Sequence, residues 1–204
     1  MLKTKVLAVL VASAAFILVA QPTVASATPT CFGHRATIVG TSSHNVIRGT
    51  SHADVIVAGG GADTIYGRGG NDLICAGSGN DKVFGGSGKD RISGGSGSDR
   101  VEGSTGDDSI EGDSGNDSLS GGDDDDAILG GSGNDRVHGD LGDDHVSGGR
   151  GDDHVTGDDG DDVLHGDDGD DVLEGGTGED ELHGGHGADD THQEDEADDS
   201  HGDD

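Results

Sequence analysis

Aromatic residues are nearly missing from this 204-residue chain, which has no tryptophan, one tyrosine and three phenylalanines. Such side chains supply much of the buried area of an ordinary core, so little material remains for a conventional globular interior. Basic residues are scarce as well, with 11 Lys and Arg against 43 Asp and Glu, and none after Arg150. Without a basic footprint the chain has no means of holding a phosphate backbone, which excludes nucleic acid as its natural partner. Anionic membrane surfaces are disfavoured for the same reason. The HExxH, GxSxG and phosphate-loop patterns are absent, so the sequence offers no catalytic centre and reads as a non-enzyme. A lytic toxin would need a long amphipathic or apolar region, and none is present.

The one apolar run is at the start. Lys3 and Lys5 precede Val6–Ala20, and Ala25-Ser26-Ala27 follows as a small-x-small cleavage pattern. This predicts a secretory signal peptide over 1–27, the run being too short for a confident membrane span; the alternative is a buried N-terminal helix. The remaining chain, exported to the extracellular space and without a membrane span, carries nine Lys and Arg against 43 Asp and Glu, a formal charge of −34 with histidine neutral. By composition alone, glycine-rich and highly charged, it would be disordered.

What is present is order of another kind. From Gly40 the chain divides into 17 blocks of nine residues, ending at His192, without an insertion or deletion. Column one is glycine except at Ala58 and Ala76. Column four is glycine except at Ser43, His52 and Asp124. Column six is aspartate in every block but the first, which has Asn45. Column eight is Ile, Val or Leu from Ile47 to Leu182, with Thr191 in the last block. Disorder has no reason to keep an apolar residue in phase over such a length. The glycines permit tight turns. The last three columns alternate polar, apolar, polar, as a short strand with one buried face requires. Three residues cannot stand alone as a strand, but copies stacked on one another can. The expected fold is all-β: a parallel β-roll or β-helix solenoid with two repeats per coil, about 8.5 coils and about 40 Å long.

One apolar residue in nine makes a thin core, and the clustered carboxylates repel one another. A cation resolves both difficulties. The glycine-rich turn exposes carbonyls beside a carboxylate, a donor set suited to a hard ion. Two blocks per coil place aspartates 18 residues apart above one another, Asp54 with Asp72 and Asp63 with Asp81, so that an ion sits between turn n and turn n+2. Seventeen turns give fifteen such pairs, and fifteen divalent ions would nearly balance the charge. Mg2+ prefers a small octahedral shell and keeps its waters. Zn2+ prefers Cys and His, which column six lacks. Calcium is the expected ion.

The blocks GGSGKDRIS at Gly85, GGSGNDRVH at Gly130 and GGRGDDHVT at Gly148 resemble the RTX, or hemolysin-type, calcium-binding nonapeptide GGxGxDxUx. The resemblance covers residues 40–192 and implies a calcium-bound parallel β-roll. It implies that Asp54, Asp63, Asp72, Asp81, Asp90, Asp99, Asp108, Asp117, Asp126, Asp135, Asp144, Asp153, Asp162, Asp171, Asp180 and Asp189 ligate calcium, up to about 15 ions in all. Turn glycines and columns three and five would lend carbonyls. Ser43, Asn45 and His52 make the first two turns poor sites, and Asp124 strains the block at Gly121. Extra aspartates such as Asp158, Asp159 and Asp161 are not required by the motif and add long-range charge.

Outward columns seven and nine turn apolar in the early blocks, at Val55, Val57, Leu73 and Cys75 on one face and at Tyr66 and Phe84 on the other. Residues 28–39 are the expected cover for the first face. Cys31 is the sole partner for Cys75, so an exported chain predicts a Cys31–Cys75 disulfide, with two free thiols as the alternative. The resemblance to small exported RTX proteins points to the same pair. Residues 193–204 read as an acidic, solvated tail. His183, His186 and His192 could ligate a transition metal, or are simply exposed strand and turn positions. Three functions compete: a rigid calcium-folded rod with a cell-surface or matrix partner, a calcium buffer or mineral nucleator, and a remnant or subunit of an RTX toxin or hydrolase.

Overall fold

Every block builds the strand its alternation predicts, and in all but the first and last blocks the strand is longer than expected. A computed structural model describes residues 28–193. The expected signal peptide, and the expected tail beyond Gln193, lie outside the described residues. From Val55–Gly60 to Glu181–His186 the strands have six residues, not three. Each runs through columns seven to nine and continues into columns one to three of the next block. Lys82–Ser87 shows why: Lys82 faces out, Val83 in, Phe84 out and Gly85 in. The small residue at column one carries the alternation one step further, so column one is a second core position. Ala58 and Ala76, the two alanines there, are fully buried.

Strands 18 residues apart pair in parallel, with Ile56 beside Ile74 and Val83 beside Val101. Two nine-stranded sheets result. One runs from Ile38–Val39 through the even blocks to Glu181–His186, and the other from Val46–Arg48 through the odd blocks to Asp190–His192. Column-eight residues from Ile47 to Leu173 fill the space between the sheets, with Ile38 and Leu182 packed against the ends of that row. The result is a solenoid of nine coils rather than 8.5, because Ile38–Val39 adds a half-coil ahead of the first repeat. The sequence had assigned those two residues to the cover.

The cover is a small antiparallel hairpin, Thr30–Cys31 with His34–Arg35. Its first strand lies against Val55–Gly60 and Leu73–Ser78. The Cys31–Cys75 disulfide is formed, with Cα atoms 5.7 Å apart, an ordinary bridging distance. The Phe32 ring lies under the Arg91 guanidinium, 3.9 Å from centroid to Cζ. The sheet beginning at Ile38–Val39 is called the covered sheet below, and the other the bare sheet. On the bare sheet Tyr66 and Phe84 stack on each other at 5.2 Å, and Arg48 lies over Tyr66. No helix of the described residues is long and apolar enough to cross a membrane.

Candidate metal centre

The turns between the sheets carry the chemistry. From the third block onward columns two and four both adopt positive φ; in the fifth block Gly77 is at 112° and Gly79 at 126°. A Cβ at Gly79 would lie 2.6 Å from the Gly61 carbonyl carbon of the turn before it, so the close stacking of turns demands glycine there. Asp124 occupies the same column at φ 79° and donates nothing to the core; its Oδ2 accepts the Gly106 N–H at 3.1 Å.

The turns bring the column-six aspartates into single file. From Asp72 onward each accepts, through Oδ1, the backbone N–H of the aspartate 18 residues earlier: Asp72 from Asp54, Asp81 from Asp63 and Asp108 from Asp90, each at 2.7 Å. The ladder loosens toward its end, reaching 3.2 Å between Asp171 and Asp189. The other oxygen is the telling one. Among the described residues, Oδ2 of fourteen of these aspartates, from Asp63 to Asp180, is buried and has no hydrogen-bond partner. A buried ionised oxygen without a partner is costly, and its regular recurrence fits a file of cation sites. A hard divalent ion fits the oxygen-only surroundings.

Electrostatics show the same deficit. Burial, only partly offset by the donated N–H and reinforced by neighbouring carboxylates, raises the Asp126 pKa to about 8. Asp90, Asp117, Asp144 and Asp153 rise to about 7 for the same leading reason. Asp72, Asp99, Asp108 and Asp162 rise to about 6. The side chains are almost wholly covered, yet they sit in thin turns near water.

The first two turns differ from the rest. Thr50 donates its N–H to Asp54 Oδ2 at 2.7 Å, and its hydroxyl does so at 3.0 Å. Thr41 donates to Asn45 Oδ1 at 2.7 Å in the same way. The threonine at column two closes the turn on itself and uses the oxygen that is left orphaned elsewhere. The sequence had marked these turns as poor sites through Ser43, Asn45 and His52; the threonines had gone unnoticed. At the far end Asp189 is only half-buried, with no turn stacked beyond it.

Column five forms a second ladder that the sequence reading missed. Its side-chain oxygens accept backbone N–H groups from 18 residues later, as in Lys89 to Asn71 at 3.1 Å and Glu179 to Asp161 at 2.9 Å. Asp161, expected only to add charge, is a structural acceptor. Asp159 accepts from Thr177 at 3.0 Å, and Asp158 meets His138 at 3.2 Å. The available signal was column five itself, which is Asn or Asp in ten of 17 blocks. His183, His186 and His192 share no common centre. His183 meets Glu181, His186 meets Asp168 and His192 meets Asp190, each pair separately. Among the described residues no three His, Cys, Asp or Glu side chains converge on one point. A cation in the turns would therefore complete its shell with backbone carbonyls.

A helix-free parallel solenoid that buries one unsatisfied carboxylate per turn defines a cation-binding repeat rod. The family model of the RTX calcium-binding nonapeptide repeat, four copies long, matches residues 39–74, 48–83, 66–101, 76–110, 102–137, 129–164, 138–173 and 165–192. The chain belongs to that family. Its repeats bind calcium and play a structural part, and the buried aspartate series fits calcium sites. No curated protein matches the chain.

Proposed function

We propose that the chain is exported through its N-terminal signal and folds into a rigid rod when it meets extracellular calcium. The single observation behind this is the file of orphaned Oδ2 atoms. The roll buries charges it cannot satisfy by itself, so the ion is part of the fold. Where calcium is low, the carboxylates keep the chain open, as passage through a secretion channel requires. Outside, binding supplies folding energy. At a Kd of about 10⁻⁴–10⁻³ M and ~1 mM calcium, each site adds roughly 0.4–1.4 kcal/mol. A dozen or so such sites reach the scale of a whole domain's stability.

The column-six aspartates from Asp54 to Asp189 hold the ions, each ion between turns 18 residues apart, up to about 15. The two pairs that use the self-closed first turns, Asn45 with Asp63 and Asp54 with Asp72, are the weakest. The filled rod then serves a structural role at the cell surface or in the matrix. Far-UV circular dichroism of the chain during calcium titration, with magnesium as control, tests this. A cooperative change from coil to β signal, reversed by chelator and absent with magnesium, is expected. A coil spectrum at about 10 mM calcium, above the range of extracellular modules, would end the proposal.

A further inference from the structure

The basic residues on this acidic rod divide sharply by location. Lys89, Arg91 and Arg150, on the turns or the covered sheet, each reach a carboxylate: Asp107, Glu111 at 2.9 Å and Asp168 at 3.9 Å. Arg48, Lys82, Arg100 and Arg136 face outward on the bare sheet and are exposed. None of these four makes an ion pair among the described residues. Register places Lys82 beside Arg100, then Ser118, then Arg136, then His154, in one row up the rod. Like charges directly opposite on neighbouring strands are destabilising. Between Lys82 and His154 this row holds no carboxylate; it runs on through Val172 to Asp190, and Glu102 lies on the same face two residues from Arg100.

An anion that meets such a row must repeat at the strand spacing, about 4.8 Å. The molecule itself presents such a file. The even-block turns carry Asp125, Asp143 and Asp161 at column five, all exposed and one per coil. Each uses Oδ1 to accept a backbone N–H, which leaves its second oxygen for another contact. These turns follow directly from the bare-sheet strands, round the corner from the basic row. A two-fold pair of rods would therefore make both contacts at once, as a closed isologous interface requires. The bare sheet measures about 40 by 20 Å, or about 800 Å² per partner, the size of a standard specific interface.

We propose that the bare sheet is a docking face for the acidic even-turn edge of a second copy, so that calcium-loaded rods pair side by side. This rests on calcium filling the turns, since the unfilled chain repels itself. Sedimentation velocity of the full chain in calcium, at low and moderate salt, tests it, with circular dichroism on each sample. The wild type is expected to pair in calcium and to weaken with salt. Lys82→Glu/Arg100→Glu/Arg136→Glu should weaken pairing at least tenfold. Asp125→Asn/Asp143→Asn/Asp161→Asn should do the same while keeping the ladder acceptors, since Asn71 and Asn80 already serve that ladder. A folded wild type that stays monomeric at every concentration would overturn the pairing. So would a dimer unaffected in both variants, or a folded monomer whose bare face instead binds an anionic polysaccharide such as heparin. Absence of any β signal in calcium would overturn the calcium-folding reading instead, so the two failures are distinguishable.

Discussion

Protons should replace calcium in part. In calcium-free solution the buried carboxyls of the roll can be neutralised only by protonation, and the structure sets where that happens. Asp126 is held at about 8 against an ordinary 3.8, chiefly by burial. Ionising it inside the roll costs roughly 6 kcal/mol at face value. Water along the turn screens part of this, leaving about 3 kcal/mol. Asp90 and Asp117, at about 7, repeat the effect on a smaller scale, and a few such turns rival the 5–15 kcal/mol of a whole domain. The folded pKa values lie above the unfolded one, so the folded state holds extra protons across the interval between them. Stability is then complete below roughly pH 4 and falls as pH rises through about 6 to 8. The assay is far-UV circular dichroism from pH 8 down to pH 5 in resin-stripped buffer, because common chelators lose calcium affinity in acid. β signal should grow as pH falls. With calcium present the roll should persist at pH 8, and the calcium midpoint should rise as protons compete. A calcium-free chain with more β structure at pH 8 than at pH 5 would refute the burial argument.

Three further outcomes are expected. Replacing both cysteines, Cys31→Ser/Cys75→Ser, removes a cross-link of sequence separation 44, worth about 4 kcal/mol by chain entropy; the calcium midpoint should rise, while unreduced wild type should show no alkylatable thiol by mass spectrometry. Ser104 stands at φ 91°, a conformation that costs an L residue about 1 kcal/mol, so Ser104→Gly should raise the thermal midpoint of the calcium form by about 2–4 °C, and a fall would contradict the strain. Asp161→Ala removes the acceptor of the Glu179 N–H and should cost about 1–3 kcal/mol in a calcium-form melt, whereas Asp161→Asn should cost little; equal losses would point to charge rather than the ladder.

Much of the fold was legible because the repeat is strict. Nine residues without a slip, with Ile, Val or Leu at one column, specify a stacked parallel solenoid and its 18-residue pairing, and Asp54 to Asp189 fall in line as a consequence. The hairpin Thr30–Cys31 with His34–Arg35 lies against the strands that carry Val55, Val57, Leu73 and Cys75, which are apolar where an open face should be polar. Strand length was not legible. Column one is glycine, and a residue without a side chain gives no apolar signal even when buried, so the strands were cut to half their length. The self-closed turns at Thr41 and Thr50 were hidden for a related reason: a hydroxyl-bearing residue in a loop is unremarkable until the carboxylate it meets is known.

The period, the sheet direction, the inward column and the identity of the acidic file follow from residue types recurring at a fixed interval along the chain. Which oxygen of each aspartate is used and which is stranded depends instead on a backbone N–H from a strand 18 residues away, so it is set by the stacking of the coils. That stacking likewise decided that column five bolts the turns together, and that the solenoid's unpaired cations gather on one sheet. Those are properties of neighbours across the rod, and they arise once the coils are stacked.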